Sequence, residues 1–420
     1  MIINKHTNPL IEGYAFAVTM WLSSRLVIVL AMMISVLVSP APPEGIAPTF
    51  GWGTFAAWDS DLYRNIVING YSYDFSRNEY LVAFFPLLPL LIKAVMFLGL
   101  PFEIAGFLIN NLAFLGAVLL VYNWVKELYS IKAARWATAV LVWCPYSLFG
   151  TVIYTEGLFL LFSTAALRAF QKKQHFWAAI WGALATATRL PGLAIMFTFL
   201  IVSWREKRSL IAYIASLCSG GGLFLYSLYC GMKFGEPLAF LKAQKAWQPA
   251  QDFWGQDWLK MFMQVLVGSR NWKAGKIVDP LHIIIVLLIC LGAYLLWRSH
   301  LKLGQNKTQF GYCILAIILW LLAGSPLINT VTILGGVYLI WHFRAQLNLL
   351  ATYGFCSFGI IFSSGRATSA ERYTYAIISV SIALGLLLEQ YPRWGYPVLI
   401  LFGFLLASLA VRFSQQLWAG

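Results

Sequence analysis

The chain has 420 residues, 60% of them hydrophobic and only 11% charged, with a formal net charge of +14. A soluble domain carries about 25% charged residues, so the composition excludes one and indicates an integral membrane protein. The basic excess is no nucleic-acid footprint: Lys and Arg gather in short loops between apolar segments, as cytoplasmic loops do.

Mean hydropathy is +0.73. About 20 apolar residues span a bilayer as a helix, and the apolar runs lack the alternation of barrel strands. The N-terminus, Met1 to Gly13, is polar without a cleavable signal pattern, so the first helix is read as the membrane signal. The six cysteines are scattered through apolar segments with no CxxC pair, and read as small buried hydrophobes.

The first predicted helix runs from Tyr14 to Val38 and carries Arg25, for which a structural ion pair within the bundle is expected. A polar, Pro-rich segment follows to Pro48. Next comes the stretch from Trp58 to Pro89, with Asp59, Asp61 and Tyr63 at its start and Ala-Phe-Phe-Pro-Leu-Leu-Pro at its end. Basic loops lie at 126–135, 168–175, 205–208 and 298–307, with single arginines at Arg344 and Arg393. If all of these face the cytoplasm, residues 83–100 do not cross and lie as an interfacial helix.

The remaining spans are expected near 102–124, 136–150, 157–170, 177–189, 191–203, 210–230, 281–297, 309–323, 327–341, 347–363, 374–389 and 395–412. The segment 177–203 is too short for two crossings and reads as a broken hairpin at Arg189-Leu190-Pro191-Gly192. The expectation is an all-α polytopic membrane protein with about 13 transmembrane helices. It forms one integral membrane domain over 1–420. Extracytoplasmic loops fall at 39–101, with interfacial helices, and at 231–280, between membrane helices at 102–230 and 281–412. Most acidic residues then fall outside, and so does the polar chemistry.

Asp59 and Asp61 stand two apart, so on a helix they lie about 200° apart and only one enters a given pocket. A carboxylate in a partly dry aromatic setting suits a general base. The plainer alternative is a helix N-cap with an acidic first turn, and Asp61 in particular suits capping. Trp58 and Tyr63 are the substrate-contacting rings of this stretch. Glu156, in Tyr154-Thr155-Glu156-Gly157, is an ionisable group at the outer end of short spans, hence a functional candidate or a solvated turn carboxylate. Arg189, at the hairpin break, needs a carboxylate, a carbonyl or a phosphate as partner. Arg366 and Arg372 bracket an outer loop, and their forks suit a phosphate or the anchoring of an interface. Gln244 and Trp247 suit a sugar, the amide meeting hydroxyls and the ring stacking on a pyranose face; Trp247 also fits an aromatic belt.

Of the five histidines only His282 falls outside, so an outer His-rich zinc site is not expected, and no metal or cofactor is assigned. There is no P-loop and no GxSxG.

The chain resembles the PIG-V family, of the GPI mannosyltransferase 2 type, among the GT-C membrane glycosyltransferases. The likeness rests on Trp58-Asp59, on Ile66 through Gly70-Tyr71, and on Phe84-Phe85-Pro86 with Pro89. It continues through Tyr154-Thr155-Glu156, Thr188-Arg189 with Gly192, and Phe234-Gly235-x-Pro237-Leu238-Ala239-Phe240 with Gln244. The resemblance implies a GT-C-type fold and transfer of mannose from a polyprenyl-phosphate donor, on the extracytoplasmic face, to a lipid-linked or glycan acceptor. The family's acidic position in the first outer loop maps onto Asp59, a second acid onto Asp61, and its Tyr-Ser-Glu-like position onto Glu156, with Thr155 in place of Ser. Inversion at the anomeric carbon is expected, with Asp59 as base. Such a protein sits in the plasma or inner membrane of a bacterium, or in the endoplasmic reticulum of a eukaryote. The competing reading is a transporter or flippase of lipid-linked sugars; transporters favour internal repeats, and none of fixed period is present.

Overall fold

The computed structural model describes residues 9–74, 80–246, 253–365 and 367–417. Its helices in chain order are α1 (Pro9–Val38), α2 (Asp59–Asn69), α3 (Leu87–Met96), α4 (Phe102–Leu128), α5 (Ile131–Trp143), α6 (Glu156–Gln171) and α7 (His175–Thr188). There follow α8 (Leu193–Arg205), α9 (Leu210–Cys218), α10 (Gly221–Phe234), α11 (Ala239–Ala246), α12 (Gln256–Leu266), α13 (Ser269–Ala274) and α14 (Pro280–Leu303). The last are α15 (Gln305–Ala323), α16 (Ser325–His342), α17 (Arg344–Leu347), α18 (Leu349–Ser363), α19 (Ala370–Tyr375), α20 (Ile378–Gln390) and α21 (Pro392–Ser414).

Five stretches, Glu12–Val38 within α1 together with α4, α14, α15 and α21, are long and apolar enough to cross a bilayer, and the bent pair α9 and α10 makes up to six among the described residues. This is a multi-pass membrane protein. The expected figure of about 13 counts apolar helices rather than bilayer-length ones. At 1.5 Å per residue a 13-residue helix such as α5 covers about 20 Å, less than the ~30 Å hydrocarbon core.

The short helices end where the sequence forces them to. Cys144 precedes Pro145, and a residue before proline avoids the helical region. Cys144 is accordingly extended (φ −50°, ψ 135°), and a 3-10 turn Pro145–Gly150 follows α5. Arg189 is extended at the end of α7 (φ −167°, ψ 153°), ahead of a 3-10 turn Leu190–Gly192, so the expected broken hairpin is present. Between α9 and α10 the axis turns by 44° at Ser219-Gly220. The segment 83–100 contains only α3, whose ten residues cover about 15 Å.

Contacts sort the chain into two units. The first comprises 1–249, 339–360 and 375–420; the second comprises 250–338 and 361–374. In the first, α4 packs on α5 and α6, α6 on α7, α5 on α20, and α1 on α4, α5 and α21. Its largest fully buried side chains include Trp124, Phe114, Phe149 and Phe159. A second apolar cluster, from Tyr63 and Ile66 of α2 through Leu88 and Ile92 of α3 to Phe102 of α4, seats the first loop on the bundle. In the second unit α14 packs on α15, and Asn271 organises the turn before α14 by accepting from the backbone N–H groups of Val278 and Asp279.

Candidate active site

The site is built on a turn, not on a helix. Between α5 and α6 the chain runs through Pro145–Gly150 and on to Thr155, deep in the first unit, where its backbone groups need partners. Two neighbouring asparagines of α4 supply them. Asn110 Nδ2 donates to the carbonyls of Phe149 at 2.7 Å and Val152 at 2.6 Å, while its Oδ1 accepts from Gly157 N at 2.9 Å. Asn111 Nδ2 donates to the Thr151 carbonyl at 2.9 Å. The fit leaves no room at Gly157, where a Cβ would lie 2.4 Å from the Asn110 carbonyl oxygen.

This turn carries the first loop. Ile153 N donates to the Phe55 carbonyl at 3.1 Å, Ser60 Oγ donates to the Ile153 carbonyl at 3.0 Å, and Asp59 N donates to the Tyr154 hydroxyl at 3.3 Å. The start of α2 is strained there: Trp58 has φ 58° and ψ −115°, a conformation a bulky side chain avoids. Trp58 is exposed, and Asp59, the first helical residue, is partly buried.

Glu156 is 1% exposed and so is no solvated turn carboxylate. It accepts from Arg189 Nη1 at 2.7 Å, and the Arg189 guanidinium also stands 5.7 Å from the Phe159 ring centroid. Of the partners open to Arg189, the structure supplies the carboxylate. Tyr63 joins the two halves of the site. Burial raises its phenol pKa first, the charges of Asp59 and Glu156 raise it further, and Arg189 and a hydrogen bond with Thr155 oppose them. The Asp59 N–H on the Tyr154 hydroxyl and the Arg189–Glu156 pair place Asp59, Glu156 and Arg189 around one turn.

Asp61 turns away, as the spacing predicts. It is 58% exposed and lies 3.7 Å from Arg64, which pairs more closely with Glu103 at 2.7 Å. Asp61 does not cap α2: the cap residue is Trp58, with no side-chain cap hydrogen bond, and Asp59 and Asp61 form the acidic first turn. Gln244 Nε2 donates to the Ala83 carbonyl at 3.3 Å and so ties α11 to the first loop. Trp247 and Arg366 lie outside the described residues. Arg372 is buried on α19 of the second unit, 5.7 Å from the Tyr373 ring centroid. Its neighbour Glu371 is also buried, and burial raises that carboxyl's pKa despite its own backbone hydrogen bond and Arg372.

Among the described residues Arg25 has no carboxylate partner, contrary to expectation. It donates to the Ser147 and Val142 carbonyls, to Ser147 Oγ and to Thr151 Oγ1. Asn110, Asn111 and Ser60 carry the site's framework and were not singled out in the sequence; a polar pair in the apolar run Phe102–Leu128 is the signal that marks the first two.

Residues 28–214 match the family model described as mannosyltransferase (PIG-V), which bears out the resemblance over that segment; Asp59, Tyr63, Glu156 and Arg189 fall within it, and the motif from Phe234 to Gln244 falls outside it. No curated protein matches the chain. Among solved structures, the oligosaccharyltransferase of Archaeoglobus fulgidus with zinc and sulfate is 15% identical, with TM-score 0.43, over 94% of this chain and 53% of that one. The oligosaccharyltransferase AglB of the same organism, with an inhibitory peptide and a dolichol-phosphate, is 15% identical, with TM-score 0.43, over 94% of this chain and 56% of that one. The chain spans about half the length of these structures.

Proposed function

We propose that this membrane protein, whose residues 28–214 match the family model of the PIG-V mannosyltransferases, is a glycosyltransferase that moves a hexose, mannose by that match, from a polyprenyl-phosphate donor. The acceptor is a lipid-linked or glycan hydroxyl, and the reaction face is extracytoplasmic. One observation carries the reading: inside the matched segment, the turn that holds the start of α2 through Ile153 and Tyr154 also carries Glu156, which pairs with the buried Arg189.

The chemistry follows from the donor. A sugar on a lipid phosphate has its leaving group in place. The acceptor oxygen attacks the anomeric carbon as its proton passes to the Asp59 carboxylate. The bond from that carbon to the phosphate oxygen breaks, and the lipid phosphate leaves with the electron pair. One displacement inverts the anomeric configuration. Arg189, oriented by Glu156, meets the growing phosphate charge. Trp58, Tyr63 and Gln244 are the substrate-contacting groups in this reading, and no metal or cofactor is assigned.

The test is transfer by the purified protein in detergent from a panel of labelled polyprenyl-phosphate sugars. Transfer from polyprenyl-phosphate mannose, with nucleotide sugars inert, is expected. Inertness towards every polyprenyl-phosphate sugar overturns the proposal. The phosphate role expected of Arg372 is read in the same assay, as a raised donor KM in Arg372→Lys.

A further inference from the structure

Arg25 lies within the long apolar helix α1 and is 6% exposed. A guanidinium at such a place is costly unless its donors are met. Here Nη1 and Nη2 are met by one short piece of chain more than 115 residues away, while the buried Nε has no partner among the described residues. Nη1 donates to the Ser147 carbonyl at 2.7 Å and to Thr151 Oγ1. Nη2 donates to the Val142 carbonyl at 3.1 Å and to Ser147 Oγ at 2.8 Å. The Phe114 ring lies 4.9 Å from the guanidinium carbon. One planar fork thus spans the break that Pro145 makes, from the last turn of α5 to the end of the 3-10 turn. Asn110 and Asn111 hold the same turn from α4.

A fixed turn has a direct consequence at the site. Two residues beyond Thr151, Ile153 exchanges hydrogen bonds with Phe55 and Ser60, and Tyr154 accepts from Asp59 N. Glu156, five residues beyond, holds Arg189. Both halves of the site hang from the segment that Arg25 clamps.

We propose that Arg25 is a positioning residue: through Ser147 and Thr151 it fixes the turn 144–155, and through that turn it sets the place of Asp59 relative to Glu156. It touches neither donor nor acceptor. The kinetic part of this inference rests on the glycosyltransferase reading above; the structural part does not. Misplacement of a reacting group by about 1 Å can cost on the order of 10²-fold in rate.

The experiment compares wild type with Arg25→Lys and Thr151→Val. The lysine keeps the charge and loses the fork. Thr151→Val keeps the shape and removes one acceptor, so it remains informative if Arg25→Lys does not fold. Two readouts are taken. Hydrogen–deuterium exchange in detergent is expected to quicken at 144–155 and also at 55–64, with residues 280–323 unchanged. Transfer kinetics are expected to show kcat reduced about 10–100-fold, with donor KM near wild type. Exchange that quickens only at 144–151, everywhere or nowhere overturns the proposal, as does wild-type kcat in both variants. If wild type itself transfers no sugar, the glycosyltransferase reading fails, and the exchange pattern still decides the role of Arg25.

Discussion

Arg189 Nη1 lies 2.7 Å from Glu156 Oε1, and both side chains are almost fully buried. The cation comes from the break after α7 and the anion from the first residue of α6, so the pair joins two interrupted helices. Removing one partner from a buried pair leaves an uncompensated charge and costs about 3–5 kcal/mol. Glu156→Gln is therefore expected to lower the melting temperature in detergent markedly. The double variant Glu156→Gln/Arg189→Gln is expected to lose less than the sum of the two single losses. Strictly additive losses contradict a direct pair.

Asn110 makes three hydrogen bonds to the turn that carries the site. Asn110→Leu strands two carbonyls and one N–H, each at about 1–3 kcal/mol. The variant should fold poorly or lose activity together with thermal stability. Asn110→Asp keeps the acceptor for Gly157 N but turns a buried carboxylate oxygen towards two carbonyl oxygens, so it should be at least as damaging as Asn110→Leu. A fully stable, active Asn110→Leu protein argues that the turn stands without α4.

Glu371 gives a pH signature. Burial raises its pKa in the folded protein, so the fold holds this proton more tightly than the unfolded chain does. The stability tied to that proton is fully present below the ordinary glutamate value and is lost as pH rises through the raised folded value. Glu371→Gln removes the penalty above that range. Its melting temperature should gain on wild type between pH 4 and pH 8, and an equal difference at both ends contradicts the assignment.

Sequence reasoning picked out the chain segments that meet at the candidate site and missed what fixes them. Apolar runs reveal helices, and the break at Pro191-Gly192 was legible, but the expected spans 136–150 and 210–230 ran across the stops that fall at Pro145 and at Ser219-Gly220. The helical advance of 100° per residue separated Asp59 from Asp61 without coordinates. Arg25 was misread because an arginine in an apolar helix suggests a carboxylate, whereas its partners are carbonyls and hydroxyls of a distant turn. Asn110 and Asn111 were passed over for a related reason: an amide in a span does not say which backbone groups it satisfies. The cap of α2 was misplaced because Trp58 adopts a positive φ that its residue type gives no cause to expect. Glu156 and Arg189 were both picked out, but their pairing is a matter of tertiary distance.

Sidedness is tested by labelling. The basic ends of α4 and α6 are assigned to the cytoplasm, and the first loop to the opposite face. Single cysteines at Lys126 and Lys173 should react only with reagents that reach the cytoplasm. Labelling of either from outside reverses the orientation and moves the proposed reaction to the other face.

The central claim is that Asp59 takes the acceptor proton, and the most direct measurement is kcat of Asp59→Asn beside Asp61→Asn. Asparagine is nearly isosteric with aspartate but accepts no proton. Loss of a general base typically costs about 10²–10⁴-fold in rate. The account predicts a kcat loss of that order in Asp59→Asn, with donor KM and melting temperature held. Asp61→Asn alters only an exposed carboxylate beside Arg64, and its kcat is predicted to stay close to wild type. Near-wild-type kcat in Asp59→Asn, or its collapse in Asp61→Asn alone, contradicts the account.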